Sequence, residues 1–290
     1  MRDRGVELHS LAHTPRHLTG RALWRGEEWF LKIASSAETG RALRNEVAWN
    51  RCLAGRRIPG IEIPQVALAG RVGELPFFLS TWYDVAPVFD LRTGRDPRVL
   101  RRSLPVIACG LAALSRTRCN PLTWDRPYRR VVSPARRFFR RSRWYRAQVD
   151  LPELDSMVEL ASEVTNHYQP GLSHGDVTPW HMYPRGDRVG LVDAEMSATL
   201  LPRFYDVAFF YQRVFTCAKY PDLARLFVAE FVRYLTPPER RQFERSFRAL
   251  CAERVLGSYW DESQGGRTFS SSRLAYPRRF RMSVERNDLW

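Results

Sequence analysis

Polar and apolar residues alternate near the N-terminus of the chain, as they do in half-buried strands. In the segment 29–33, three apolar residues share one face, while Lys32 lies on the other face beside Phe30. Two further β-rich segments, 61–68 and 75–79, are separated by glycines and predict a hairpin. This part of the chain is therefore expected to form a small antiparallel sheet.

A helix interrupts these strands. Apolar residues fall at helical spacing over 37–53, Gly55 follows as a stop signal, and the helix carries Glu46. Beyond Trp82 the spacing is helical almost throughout. The segment from residue 264 onward is rich in glycine and serine and is expected to be loosely ordered. The helical windows cover about 97–115, 151–168, 203–218, 221–235 and 238–257.

This change of pattern predicts an α+β protein with two lobes. Residues 1–82 would form a small antiparallel sheet lobe and residues 83–290 a larger, mainly helical lobe, with a cleft between them. The chain has 290 residues, of which 44% are hydrophobic and 27% are charged. Such a composition is typical of a folded protein with a substantial core.

The composition gives little support for export, membrane insertion or disulfide formation. The N-terminal residues are polar and contain no signal-peptide core. The longest weakly polar run reaches roughly half of the ~20 residues that span a bilayer. Five cysteines lie far apart without a Cys-x-x-Cys pair, so we expect reduced, buried cysteines and no thiolate zinc site. These features predict a cytoplasmic protein.

The net charge of +15 is concentrated in one segment. Residues 126–146 contain nine arginines, several aromatic residues and no acidic residue. Such a segment attracts anionic surfaces, including lipid headgroups and nucleic acid, without choosing between them; the alternative is a solvated insertion between helices. Basic residues elsewhere are almost all arginine, because Lys32 and Lys219 are the only lysines. Lys32 is therefore a candidate functional residue.

Two short motifs in the second half of the chain each contain an aspartate. The segment 173–181 reads S-H-G-D-V-T-P-W-H, and the segment 192–195 reads V-D-A-E after a short β-rich run. Asp176 belongs to the first motif and Asp193 to the second.

These two motifs resemble the catalytic loop and metal-binding motif of the aminoglycoside-phosphotransferase and choline-kinase-like family, distant relatives of protein kinases. Phosphoryl transfer needs one carboxylate to orient and deprotonate the acceptor hydroxyl, and another to hold Mg²⁺ against the phosphates. The resemblance gives Asp176 the first role and Asp193 the second. The resemblance implies a bilobal protein-kinase-like fold, ATP and Mg²⁺ as cofactors, and transfer of a phosphoryl group to a hydroxyl. It also implies that Lys32 contacts the nucleotide phosphates and is tethered by Glu46. Asp206 would brace the catalytic loop, with a plain helix cap as an equal alternative. His174 would be a packing and hydrogen-bonding residue of the loop.

Two features depart from the family pattern. His181 stands where the family usually has asparagine, and imidazole is a poor ligand for Mg²⁺. Three interpretations follow. Metal binding depends on Asp193 and Glu195, the bound ion resembles Mn²⁺ more than Mg²⁺ in its ligand preference, or the activity is impaired. Glu195 pointing to water is an equal alternative to a metal ligand. No glycine-rich loop precedes Lys32, and the phosphate-covering turn is expected around 13–20.

The expected reaction is ATP-dependent phosphorylation of a hydroxyl on a small molecule, a sugar or a glycan. The charge of +15 disfavours polycationic aminoglycosides and fits a neutral or anionic acceptor better. The rival interpretation is a catalytically silent kinase-like module that binds a lipid surface or RNA through residues 126–146. Because no recognised nucleic-acid motif is present, nucleic acid is the less favoured partner, and a peripheral membrane contact stays open.

Overall fold

The computed structural model describes residues 5–91, 93, 96–119, 133–149, 151–264 and 272–290. Strands within these ranges are β1 Val6–His13, β2 His17–Trp24, β3 Glu27–Ala34, β4 Ile61–Glu62, β5 Val66–Val72, β6 Leu75–Thr81, β7 Pro170–Ser173, β8 Met182–Arg185, β9 Arg188–Leu191 and β10 Ala198–Pro202. The α-helices are α1 Ala37–Leu53, α2 Pro97–Leu114, α3 Pro134–Gln148, α4 Asp155–Ser162, α5 Tyr205–Gln212, α6 Pro221–Arg233, α7 Pro237–Ser263 and α8 Ala275–Glu285.

A five-stranded antiparallel sheet occupies the N-terminal part of the fold, in the order β1-β2-β3-β6-β5. Its central strand, β3, buries Leu31 and Ile33 on one face. The other face packs against α1, where Phe78 of β6 meets Leu43. Lys32 pairs with Phe78 in the β3–β6 register and so lies on this second face. The predicted sheet and its inserted helix are confirmed.

The predicted strand over residues 61–68 is wrong as a single element. Pro64 interrupts it, because proline has no N–H to donate to a ladder. The first part, β4, pairs in parallel with β9, while β5 begins at Val66 and pairs with β6. The short β4–β9 pairing joins the N-terminal part of the chain to the strands that carry the second carboxylate motif.

Helix α1 connects the sheet to the segment that follows β9. Ser36 caps its start, and Ser36 and Thr39 exchange hydrogen bonds in a capping box. The Asn45 side chain then donates hydrogen bonds to the carbonyl oxygens of Glu195 and Ser197, at 3.0 and 2.8 Å. Because these groups are buried, their pairing fixes the segment around Glu195 to the helix.

The larger part of the fold is mainly helical and is built around α7, which has 27 residues. Helices α3, α4, α5 and α8 pack against it. The window predicted over 151–168 contains α4 flanked by single 3₁₀ turns, and the window over 203–218 contains α5 followed by a π-helical turn, Arg213–Cys217. The other windows agree with α2, α6 and α7 within several residues, which confirms a helical lobe.

The arginine-rich segment and the C-terminal tail are partly described. Residues 126–132 lie outside the described ranges, while the rest of the arginine-rich segment forms α3. Residues 265–271 also lie outside them, but the expectation of a loosely ordered tail is wrong beyond that point. Helix α8 buries Phe280 against the ring of Phe215, at a centroid distance of 5.3 Å. The apolar pattern over α8 is too short to predict from the sequence that this helix packs against the core.

The cysteines also differ from expectation. Cys52, near the end of α1, forms a disulfide with Cys119, which follows α2. The prediction of five reduced cysteines is therefore wrong for this pair, because a sequence pattern does not reveal a contact between residues 67 positions apart. Cys109, Cys217 and Cys251 are free. Among the described helices, none has both the length and the apolar composition that crossing a membrane requires.

Candidate active site

Lys32 lies at the centre of a buried cluster of carboxylates. Its Nζ is 2.8 Å from Glu46 Oε2, 2.7 Å from Asp193 Oδ1 and 2.6 Å from Glu195 Oε1. Burial opposes the charge of Lys32, but Asp193, Glu46 and Glu195 outweigh it and hold the pKa of the ammonium above its ordinary value. One cation is therefore shared among three acids that come from two segments, helix α1 and the segment after β9.

Asp193 is placed by an unusual backbone conformation. It follows β9 with φ 67° and ψ 48°, a left-handed conformation that aspartate tolerates better than most residues. Its N–H donates a hydrogen bond to Glu46 Oε1 at 3.1 Å. Burial opposes ionisation of Asp193, but Lys32 and then His181 hold its pKa below the usual range. The Asp193 side chain is thus ionised and one third exposed, at 34%.

Glu46 links β3 to the segment after β9. One of its oxygens accepts from Lys32, and the other accepts from the backbone of Asp193. Burial raises the pKa of Glu46, while Lys32 lowers it. Because both oxygens are engaged, Glu46 orients Lys32 and Asp193 toward one another and has little remaining capacity for a ligand.

Asp206 anchors the loop that carries Asp176. The N–H groups of His174 and Gly175 donate to the two carboxylate oxygens of Asp206, at 2.7 and 2.9 Å. Burial raises the pKa of Asp206 to about 7, although these two hydrogen bonds oppose the rise. The N-cap of α5 is Phe204, so the Asp206 side chain bonds to the loop and does not cap the helix.

Gly175 is required by this geometry. It has φ +84°, and a Cβ at this position would lie 2.3 Å from the carbonyl oxygen of Met196. Any other residue would push the loop away from the segment that carries Asp193. The tight approach keeps the Asp176 and Asp193 segments side by side.

His174 is buried and uses both ring nitrogens inside the loop. Nε2 lies 3.0 Å from the carbonyl oxygen of Val192, and Nδ1 accepts the N–H of Asp176 at 3.4 Å. These partners require a neutral ring with its proton on Nε2. Burial, followed by the charge of His181, lowers the pKa of His174 to about 3. His174 therefore holds the loop in place and does not exchange protons at neutral pH.

A pH prediction follows from His174. The unfolded chain binds a proton at this residue below about 6.5, whereas the folded chain does not until about 3. Stability is consequently lost as pH falls through this window, by about 3 kcal/mol at pH 4. Urea unfolding of His174→Gln should show a correspondingly weaker loss between pH 6.5 and pH 4. The exposed His167→Gln serves as the control, and equal slopes in wild type and His174→Gln would contradict the assignment.

His181 lies between the two carboxylates of the motifs. Its Nδ1 is 3.6 Å from Asp176 Oδ2 and 3.1 Å from the Asp176 carbonyl oxygen, while its Nε2 is 3.4 Å from Asp193 Oδ2. Burial raises the pKa of Asp176, and His181 and Arg213 oppose the rise. Ligand atoms of Asp176, His181 and Asp193 lie within 4.8 Å of one another, close enough to share one metal ion.

Glu195 does not point to water. Its carboxylate is buried and contacts Lys32, His17 and Arg16, the last at 2.9 Å. Burial opposes ionisation, but the hydrogen bond from His17 and the charge of Lys32 hold the pKa of Glu195 below its usual value. Although Glu46, Asp193 and Glu195 also form a cluster with metal-ligand spacing, Glu195 is already occupied by three cationic or hydrogen-bonding partners.

Arg16 and His17 belong to the site although the motifs did not identify them. They lie at the turn from β1 into β2, within the segment expected to cover the phosphates. The turn is closed by Thr14, whose N–H donates to the His17 carbonyl oxygen at 2.8 Å. Their signal in the sequence is a pair of consecutive basic residues in a short turn before β3, the strand that carries Lys32. Hydrophobic periodicity alone does not distinguish such a pair from other basic residues.

A cavity of about 820 Å³ lies in front of these residues. Its walls include the β1–β2 turn, Lys32, His181 and the connection 80–87 that follows β6. Two aromatic pairs also line it: Phe30 stacks on Trp82 at 6.5 Å, and Tyr83 stacks on Tyr183 at 5.4 Å. A site of this size, lined by both aromatic and charged groups, is large enough for a nucleotide.

The structure brings all the residues predicted for the site together. The residues in the cleft wall or directly behind it are Lys32, Glu46, Asp176, His181, Asp193 and Glu195. His174 and Asp206 support the loop that carries Asp176. A strand lysine tied to a helix glutamate, opposite two loop carboxylates, defines a kinase-like phosphotransferase in the α+β fold described above.

Comparison with known proteins agrees with this class. The model of the phosphotransferase enzyme family, APH, matches residues 17–253, and the chain belongs to this family. It is a phosphotransferase by its family. No curated protein matches the chain.

Solved structures confirm the kinase-like fold. A thermostable mutant of aminoglycoside phosphotransferase APH(4)-Ia, in complex with ADP and hygromycin B, is 15% identical with a TM-score of 0.65; the match covers 98% of this chain and 96% of that one. The GDP and kanamycin complex of APH(2")-IIIa is 15% identical with a TM-score of 0.62, covering 97% and 95%. The GDP complex of aminoglycoside 2'-phosphotransferase-IIIa is 16% identical with a TM-score of 0.57, covering 98% and 93%.

Proposed function

We propose that this protein transfers the γ-phosphoryl group of ATP to a hydroxyl of a small molecule, sugar or glycan. The observation that carries the proposal is the position of Lys32, which bonds to Glu46 and to Asp193. His181 contacts Asp193 and, with Asp176, continues the same wall of the cleft. Residues 1–82 would form the ATP-binding lobe, and residues 83–290 the catalytic and acceptor-binding lobe. A cytoplasmic location is part of the proposal, because ATP is the co-substrate.

Each charged residue has a separate role in this proposal. Lys32 would bind the nucleotide phosphates, with Glu46 holding the ammonium in place. Asp193, supported by His181, would hold Mg²⁺ or Mn²⁺; their ligand atoms lie close enough to share one ion, and a carboxylate beside an imidazole fits Mn²⁺ better than Mg²⁺. The ion supplies positive charge against the phosphates when bound.

Asp176 would act on the acceptor side. Its carboxylate would orient the acceptor hydroxyl and take its proton while the hydroxyl oxygen forms a bond to the γ-phosphorus and the bond to the β-phosphate oxygen breaks, releasing ADP. Support comes from the Asp206 brace, which fixes the backbone of His174 and Gly175 immediately before Asp176. Glu195 would tie the β1–β2 turn to Lys32 and would serve the metal only indirectly.

A second candidate function is a catalytically silent kinase-like module that binds an anionic partner. Two observations favour it: His181 occupies the family's asparagine position, and the β1–β2 turn contains basic residues in place of a glycine-rich loop. Against it, the chain retains Lys32, Glu46, Asp176 and Asp193 in one connected site. A peripheral membrane contact through residues 126–146 stays a prediction.

An acceptor screen tests the proposed function. The protein is incubated with ATP and Mg²⁺ or Mn²⁺ and with neutral sugars, aminoglycosides, macrolides, choline-like alcohols and lipid-linked glycans, and products are identified by mass spectrometry. We expect a phosphorylated product in at least one class. Binding of RNA or anionic vesicles, without any phosphorylated product, would favour the silent module instead.

The His181→Asn variant tests the choice of metal. Asparagine offers an oxygen ligand where histidine offers nitrogen, so we expect the ratio of Mg²⁺-dependent to Mn²⁺-dependent turnover to rise, by about tenfold. Metal titrations of nucleotide turnover in the variant and in wild type measure this ratio. His167→Asn, an exposed substitution, is the matched control. An unchanged ratio would remove His181 from the proposed metal ligands.

A further inference from the structure

The turn from β1 into β2 holds Arg16 in the wall of the cavity that Lys32 also lines. The Thr14 hydroxyl donates to the His17 carbonyl oxygen at 2.9 Å and accepts the His17 N–H at 3.0 Å. The Ser35 hydroxyl donates to the carbonyl oxygen of Arg16 at 2.6 Å. Because these hydrogen bonds fix the backbone around Arg16, its side chain extends from a defined position beside the cavity.

The Arg16 side chain forms an ion pair with Glu195. Its Nη2 lies 2.9 Å from Glu195 Oε2, but the two side chains differ in environment: Arg16 is 55% exposed and Glu195 only 5%. A guanidinium has five N–H donors, and their geometry matches two oxygens of a phosphate group. The exposed side chain can therefore exchange the Glu195 carboxylate for a phosphate in the cavity while the turn itself stays in place.

Lys32 alone offers little net positive charge to a nucleotide. Its ammonium is already shared by the carboxylates of Glu46, Asp193 and Glu195, all within 2.8 Å. Among the described residues that line the cavity, the arginine and lysine residues are Arg16 and Lys32. Nucleotide phosphates carry several negative charges, so they need a second cationic side chain beside the lysine and the metal ion.

We propose that Arg16 binds the nucleotide phosphates, and that Glu195 is the partner which the phosphates displace from it. The guanidinium then takes the place of the backbone N–H groups that a glycine-rich loop offers to phosphate oxygens. This inference rests on the proposed phosphotransfer function. It adds the side chain of the β1–β2 turn that recognises phosphate, and a competition between Glu195 and the nucleotide for that side chain.

Calorimetric titrations with ADP and adenosine, at one Mg²⁺ concentration, test the inference without depending on turnover. Arg16→Ala should weaken ADP binding by about tenfold, the usual effect of losing a hydrogen bond between charged groups. Adenosine binding should be unchanged, because adenosine has no phosphate for Arg16 to contact. Arg16→Lys keeps the charge without the bidentate geometry and should restore part of the ADP affinity.

Two further variants separate phosphate binding from a structural tie between the turn and Glu195. Arg16→Gln keeps a hydrogen-bond donor for Glu195 without the charge, and should bind ADP as weakly as Arg16→Ala. In a Glu195→Gln background, where the ion pair is already lost, Arg16→Ala should still weaken ADP binding by about tenfold. A purely structural tie predicts wild-type ADP affinity for Arg16→Gln and no further loss in the double variant.

Arg21→Ala is the matched control. Arg21 lies on β2, next to the same turn, and pairs with Glu28 at 3.4 Å, and it is not among the described residues that line the cavity. Its ADP affinity should equal that of wild type. Equal ADP affinity in Arg16→Ala and wild type, or an equal loss of ADP and adenosine binding, would overturn the inference and leave the phosphotransfer proposal standing. If the wild-type protein bound ADP no more tightly than adenosine, the phosphotransfer proposal itself would fail.

Discussion

Asp176→Asn is expected to lower the rate of phosphoryl transfer by about 10³-fold while leaving nucleotide affinity nearly unchanged. Asparagine keeps the shape and the hydrogen-bonding capacity of the side chain but does not accept the proton of the acceptor hydroxyl. In the proposed mechanism, nucleotide binding depends on Lys32 and Asp193, which this change does not touch directly. Turnover with a phosphorylated acceptor and calorimetric titration of ADP measure the two quantities separately.

The control for this variant is Asp187→Asn. Asp187 lies in the turn between β8 and β9, and its side chain is 97% exposed. We expect full activity in the control. If Asp176→Asn kept a rate within a few-fold of wild type, Asp176 would not be the base, and the brace formed by Asp206 would need another explanation.

Lys32→Ala is expected to have two large effects. Loss of the phosphate contact should lower kcat/KM for ATP by about 10²-fold. Loss of the ammonium shared by Glu46, Asp193 and Glu195 should also lower the free energy of unfolding by about 3–5 kcal/mol, because the buried Glu46 and Glu195 and the partly exposed Asp193 lose their common partner. The motif alone predicted little effect on folding, and the observed network changes that expectation.

Lys219→Ala is the natural control, because Lys219 is the other lysine of the chain and is exposed. Urea unfolding and steady-state kinetics should both match wild type. Should Lys32→Ala unfold at the wild-type urea concentration and retain its affinity for ATP, the central role of Lys32 in the cleft would be wrong.

The core of the site was predictable because short segments carry it. Alternation placed Lys32 on a strand, helical spacing placed Glu46 on the next helix, and two local motifs identified Asp176 and Asp193. Each of these signals lies within a stretch of a few residues, and the family resemblance supplied their relative order. The structure adds the distances and the reason for Gly175, which must approach the Met196 carbonyl closely.

The parts that were missed depend on contacts between distant segments. Arg16 meets Glu195 across the cleft, and Arg213 meets Asp261 from another helix. No local pattern encodes such pairs, because the two partners lie far apart in the sequence. The same reason explains the missed disulfide between Cys52 and Cys119 and the helix α8, whose burial depends on a partner surface formed far away in the sequence.

The most direct test of the central claim is to measure ADP and phosphorylated acceptor together, for wild type and for Asp176→Asn, with the best acceptor found in the screen. We predict that wild type forms the two products in equal amounts and that Asp176→Asn forms neither at a comparable rate, although it binds ATP. Formation of ADP by wild type without any phosphorylated acceptor, across all acceptor classes, would contradict the claim that this cleft carries out phosphoryl transfer to an alcohol.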